Sequence, residues 1–192
     1  MARPREFDPD EVLDRCMRLF WSKGYQATSL DDLLRETGLA RQSLYGAFGG
    51  KHALFLAALR RYRERMAAMV SERFGGGVAP REALREFLLS IAEAPRERTR
   101  DGCFIVNSAV ELAPHDLEAA EIVAAQNRHL ERVFRSALER AREQGELPRG
   151  KDPRAVARFL LGFVNGLHVV AKAGADRATL RDMVKVALQA LD

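Results

Sequence analysis

The chain has 192 residues, 47% hydrophobic and 30% charged, with a formal net charge of +4. That suits one sizeable core, or a small module joined to a larger one, and the basic excess is compatible with a polyanionic partner without arguing for one. The longest mostly apolar run, Phe159 to Ala171, is interrupted by Asn165 and His168 and falls short of the roughly 20 apolar residues that span a bilayer. The opening MARPREFDPDE lacks the apolar stretch of a signal peptide. Cys16 and Cys103 make no disulfide framework, and neither they nor the scattered His52, His115, His129 and His168 make a metal-ligand set. The expectation is a reduced, cytoplasmic protein with no membrane partner, metal or cofactor.

Helical periodicity runs through the whole chain, and no strand or repeat is expected. Asp8-Pro9-Asp10-Glu11 is a helix start, with an N-cap acid, a first-turn proline and acids at the positive end of the dipole. Val12, Leu13, Cys16, Leu19 and Phe20 share one side of that helix, and Gly24 stops it. Thr28-Ser29 opens a second helix, with Asp31 or Asp32 placed for a capping box and Leu30, Leu33 and Leu34 as its inner stripe. Thr37-Gly38-Leu39 is a tight turn. A very short helix follows in LARQSLYGAFGGK, where Leu44 and Phe48 point the same way and Arg41, Gln42, Ser43 and Tyr45 are left outside.

From Lys51 to about Phe74 runs a long helix, ended by Gly75-Gly76-Gly77. Further helices are expected over about 80–94, 102–112, 116–144 and 152–173, and from Asp176 to near the end. The periodicity thus gives about nine helices. The helix after Asp152 is apolar on several faces and must be covered on more than one side.

A capped helix, a glycine turn and a second short helix form the helix-turn-helix pattern. Arg41 and Gln42 suit purine edges in a major groove, and Ser43 and Tyr45 suit phosphates. Spacing alone leaves open that they are ordinary solvated residues.

The stretch from about Phe7 to Leu59 resembles the N-terminal domain of TetR-type (TetR/AcrR) transcriptional regulators. The matching run is Gly24-Tyr25, Thr28, Ser29-Leu30-Asp31-Asp32-Leu33-Leu34, Gly38-Leu39, Leu44-Tyr45, Phe48, Lys51 and Leu54-Phe55. The resemblance implies an all-α fold. Residues 1–50 would be a three-helix helix-turn-helix DNA-binding domain, and 51–192 a helical ligand-binding and dimerisation domain. The remaining helices resemble the family in layout only. The resemblance further implies a sequence-specific transcriptional regulator that is not an enzyme, a dimeric repressor released from a palindromic operator by a small-molecule inducer.

Carried over position by position, Thr28 and Ser29 would meet a phosphate at the start of the second helix. Arg41, Gln42 and Ser43 would read bases, Tyr45 would pack on the backbone or a thymine methyl, and Lys51 would contact phosphate. Ala40 stands where many members have a Ser or Thr cap, and Gly46-Ala47 replaces larger residues, so this face has fewer contacts. Arg3 and Arg5 form either a minor-groove arm or a disordered basic end.

In the second half, Gly162 and Gly166, one turn apart, would allow close helix approach, and the family pairs its last two helices into a homodimer. Burial within one chain is the alternative. For the inducer pocket the polar candidates are Asn107, Asn127, Asn165 and His168, and the apolar ones are Phe104, Phe134, Phe159 and Phe163. Each has an alternative as an ordinary core or surface residue. Cys103 lies near a helix start with Arg98 and Arg100 close in sequence, features that lower a thiol pKa. Some family members carry a similar Gly-Cys and respond to oxidants or electrophiles, so thiol modification there is a second route to release. A buried, inert cysteine is the alternative. The rival readings are an all-helical enzyme, for which no nucleotide loop or nucleophile–base pair is present, and a helical adaptor.

Overall fold

The computed structural model describes residues 7–95 and 100–192. Among these it has nine α-helices and one 3-10 turn, and no strand. The helices are α1 (Pro9–Lys23), α2 (Leu30–Thr37), α3 (Arg41–Phe48), α4 (Lys51–Gly75), α5 (Pro80–Ala92), α6 (Phe104–Glu111), α7 (Leu117–Glu143), α8 (Pro153–Lys172) and α9 (Arg177–Gln189). The 3-10 turn, Ala113–His115, joins α6 to α7.

Local chemistry sets the helix starts. Asp8, Ser29, Asp116, Asp152 and Asp176 are N-caps whose side chains accept a backbone N–H of the first turn. Such a cap contributes about 1 kcal/mol where an unpaired amide would otherwise remain. At Ser29 the box is complete, because Asp32 accepts the Ser29 backbone N–H at 3.0 Å while Ser29 Oγ accepts that of Asp32.

The buried residues form two apolar clusters. The lower one takes Val12, Cys16, Met17 and Phe20 of α1, Leu33 of α2, Leu44 of α3 and Leu54–Tyr62 positions of α4. It also takes Phe104 and Ile105 of α6 and Ala119, Ile122 and Val123 of α7. Its centre is a chain of edge-on rings: Phe20 on Phe55, Phe55 on Phe104, Phe104 on Tyr62 and Tyr62 on Trp21, with centroids 5.0–5.7 Å apart. Such pairs add about 0.5–1.5 kcal/mol each beyond their area burial. The upper cluster packs Val70 and Phe74 of α4 with α5, the rest of α7, α8 and α9 around Phe87 and Phe134. Salt bridges tie α1 to α4 on the outside, Arg61 to Asp10 and Asp14 and Arg65 to Asp14.

α8 carries the long apolar run within a longer helix. Helical from Pro153 to Lys172, its 20 residues are long and apolar enough to cross a membrane on length and composition, the one such helix among the described residues. Leu160, Val164 and Leu167 pack into the upper cluster, while Phe159 and Val169 are half-exposed on its other side.

Candidate nucleic-acid interface and sensing half

The short helix α3 is held from beneath. Leu44 is buried and Phe48 half-buried against the lower cluster. The turn before it is closed by Gly38 at φ 72°, whose N–H donates to Leu34 O at 2.9 Å, and by Thr37, whose hydroxyl donates to Leu33 O at 2.7 Å. Gly49 ends it at φ 80°, donating to Tyr45 O at 2.8 Å. Both glycines sit in the left-handed region where a side chain is strained. Arg41, Gln42, Ser43 and Tyr45 are all exposed. Ala40 makes no side-chain cap, so the first-turn amides of α3 are left without a side-chain partner. A bare helix start beside a row of exposed Arg, Gln and Ser is suited to acceptors and anions.

Thr28 departs from the expectation. It is fully buried and its hydroxyl donates to Gly24 O at 2.6 Å. That hydroxyl closes the α1–α2 turn from inside the fold. Ser29 is exposed, with its hydroxyl engaged by Asp32 at 2.8 Å. The Asp32 carboxyl lies well below its ordinary range because the Ser29 backbone N–H and hydroxyl donate to it and Lys23 adds its charge at 3.0 Å. Lys51 begins α4 with its ammonium 4.4 Å from the centre of the Tyr25 ring. Arg3, Arg5 and Arg98 lie outside the described residues.

Among the long-range polar contacts that join α1–α4 to the helices that follow, three lie around α6 and the start of α7. The Trp21 indole N–H donates to Gly102 O at 3.0 Å. The Glu111 carboxylate accepts the backbone N–H groups of Tyr25 and Gln26 at 3.1 and 2.8 Å. His52 Nε2 lies 2.5 Å from Asp116 Oδ2. Beside the second contact is an open cleft of about 310 Å³ whose lining includes Lys23, Asn107, Val110, Glu111 and Lys172.

The ligand candidates do not converge on one cavity. Phe104 is in the lower cluster and Phe134 in the upper one. Asn107 donates to Asp101 O at 2.8 Å. Asn127 is half-buried on α7. Phe163 stacks on Phe159 on the open side of α8, with centroids 6.3 Å apart. His168, on α8, has its pKa pushed down to about 4 by burial.

At Cys103 the structure favours the inert alternative over the activated thiol. Burial pushes its thiol up rather than down, outweighing the backbone and Tyr62 hydrogen bonds that act the other way. Two residues that the sequence reading missed lie one turn apart on α7. Gln126 is buried with its Oε1 unpartnered, and His129 has a buried, unpartnered Nε2. Burial first, then Arg132, lowers the His129 pKa. The signal was available, since Gln126 interrupts the buried every-fourth series Ile122, Leu130, Phe134 and Leu138.

On the far side, α8 and α9 present an apolar groove of about 470 Å³ lined by Phe159, Phe163, Thr179, Asp182, Met183, Val186 and Ala187. Phe159, Val169 and Val186 are 49%, 50% and 65% exposed. A Cβ at Gly162 or Gly166 would meet nothing within 4 Å.

Comparison with known proteins agrees with this geometry. Residues 12–58 match the family described as bacterial regulatory proteins, tetR family, and residues 78–187 match the tetracyclin repressor-like C-terminal domain. The chain is 42% identical over 195 residues to the uncharacterized HTH-type transcriptional regulator YezE of Bacillus subtilis (strain 168), covering 100% of both. It is 33% identical over 190 residues to the HTH-type transcriptional repressor ComR of Escherichia coli (strain K12), covering 98% of this chain and 90% of ComR. Among solved structures it is similar to a cysteine mutant of the TetR family transcriptional regulator CifR complexed with 26bp double-strand operator DNA. There the TM-score is 0.85 and the identity 30%, with 100% of both chains covered.

Proposed function

The chain belongs to the TetR family of transcriptional regulators, and from that premise we propose that it acts as a dimeric repressor whose grip on a palindromic operator is loosened by a small-molecule effector. The observation that carries the reading is α3 itself. This eight-residue helix is anchored by Leu44 and Phe48 and leaves Arg41, Gln42, Ser43 and Tyr45 exposed. A helix too short to be stable alone gains its stability from the core and spends its outer face on contacts.

In this reading Arg41 and Gln42 read base edges and Tyr45 packs on the backbone. Ser43, the Ser29 backbone and Lys51 meet phosphates. One such head buries little surface, so two copies are needed. The exposed apolar groove of α8 and α9, with two glycines open to close approach, supports a second copy there. The effector would enter between the two clusters, where Gln126 Oε1 presents an unpartnered acceptor and His129 Nε2 an unpartnered ring nitrogen. A molecule with a hydrogen-bond donor for Gln126 and a polar group for His129 fits them. Its differential affinity for the two states would shift the equilibrium away from the DNA-bound one. The raised pKa of the Cys103 thiol and its hydrogen bond from Tyr62 favour this route over thiol modification.

The test is binding of the full chain to duplexes selected from a random pool across a range of salt. The reading expects an enriched palindrome, steep salt dependence, and loss of preference when Arg41 and Gln42 are both replaced by Ala. A protein that enriches no sequence would count against it.

A further inference from the structure

α6 is fastened to the head at both ends. At its start Gly102 O accepts the Trp21 indole N–H at 3.0 Å. At its end the Glu111 carboxylate takes two consecutive amides, Oε2 from Tyr25 at 3.1 Å and Oε1 from Gln26 at 2.8 Å. A carboxylate spanning adjacent N–H groups makes charge-assisted bonds, stronger than neutral ones and fixed in direction. The partners are 86 and 85 residues away in sequence, so this is no local cap. Gly24 is shaped to it: its φ is +87°, and a Cβ there would lie 2.8 Å from Glu111 Oε2.

The gripped dipeptide leads on to the DNA face. The Tyr25 ring packs edge-on against Phe55 at 4.9 Å and carries the Lys51 ammonium over its face. Lys51 opens α4, and Gln26 precedes the Thr28 and Ser29 contacts that fix the start of α2. We infer that Glu111 is a positioning residue for operator binding, an inference that rests on the DNA-binding reading of α3. Its carboxylate holds the Tyr25–Gln26 turn against α6 and, through the Tyr25 ring, sets where the Lys51 ammonium stands. With the grip broken, the head must give up its new freedom when it docks, and that ordering cost appears as weaker binding.

The experiment uses the full chain and a duplex that the wild type selects from a random pool. Binding is measured for wild type, Glu111→Ala, Glu111→Gln, Lys51→Ala, Arg41→Ala and the doubles of Glu111→Ala with each of the last two. Amide hydrogen exchange at Tyr25 and Gln26 is followed in the free proteins. Glu111→Ala should speed exchange at both amides and weaken binding by about tenfold, a coupling of ordinary size. Glu111→Gln should fall between, because its carboxamide accepts one N–H and turns its own N–H₂ toward the other. The Glu111→Ala loss should shrink to about twofold or less on the Lys51→Ala background and persist in full on the Arg41→Ala background, since only coupled sites fail to add.

Wild-type affinity in Glu111→Ala, unchanged exchange, or equal losses on both backgrounds would overturn the proposal. If Glu111→Ala does not fold, wild-type affinity and exchange in the isosteric Glu111→Gln would overturn it equally. A wild type that selects no sequence overturns the DNA-binding reading instead, and is told apart because the unaltered protein fails with its variants.

Discussion

Tyr62 donates its phenolic O–H to Cys103 Sγ across 3.6 Å, with the Tyr62 ring edge-on to Phe104 at 5.7 Å. The thiol is therefore walled by aromatic surface, and both groups have their pKa raised by burial. Alkylation of Cys103 by iodoacetamide should be much slower at pH 7 than that of a free cysteine, and should still be rising with pH above 9. Cys16, pushed up to about 12 by burial in α1, should react more slowly still. Peptide mass spectrometry over a pH series measures both rates, and fast saturating alkylation of Cys103 near neutrality would refute the assignment.

Arg41 and Lys51 should fail in different ways. Arg41→Ala should cost about 1–3 kcal/mol and relax preference at one base position, as expected for a lost bidentate base contact. Lys51→Ala should weaken all duplexes alike and lower the salt slope by about 1, as for one lost phosphate contact. Isotherms on the selected duplex and its single-base variants, at several salt concentrations, separate the two.

His168 makes folding pH-dependent on the acid side. Burial holds its folded pKa near 4 against an ordinary 6.5. Between those values the unfolded chain binds the extra proton and the folded one does not. The contribution is whole above pH 6.5 and is lost as pH falls toward 4, in total roughly 3 kcal/mol. Denaturant unfolding of His168→Phe should show a flatter stability profile across that window than the wild type.

Gly166 and Phe159 test the open face of α8 and α9. A Cβ at Gly166 meets nothing within 4 Å in one chain, and replacing a mid-helix glycine gains about 0.5–1 kcal/mol of helix propensity. Gly166→Leu should therefore keep the monomer folded while blocking close approach of a second copy. Phe159→Asp should do the same by placing a charge in the groove. Light scattering should report monomers for both, with unchanged helical content and weakened binding to a palindromic duplex. An unaltered dimer would remove this face from the interface.

The helix starts and the anchoring of α3 were legible in the sequence because they are local. A cap acts within three residues, and Leu44 and Phe48 declare their face by spacing alone. The partners of Cys103 and Glu111 were not, since they come from far along the chain. The Thr28 hydroxyl turns back to Gly24, and the Tyr62 ring and Phe104 flank the Cys103 thiol, which the sequence left open between a reactive and an inert reading. Nothing in the neighbourhood of Glu111 names Tyr25 and Gln26 as its partners. Gln126 was visible as a break in the α7 series, and its meaning depended on knowing that two clusters meet there.

The lower cluster draws Phe104, Ile105, Ala119, Ile122 and Val123 from beyond α1–α4. A hybrid regulator made by splicing residues 1–50 onto a different sensor would leave Phe20 and Leu33 facing borrowed side chains that never fitted them. For anyone rewiring this protein to a new signal, the exchangeable unit is the head together with the inward surface of α6 and the first turns of α7. A working graft would have to carry those residues across as a set.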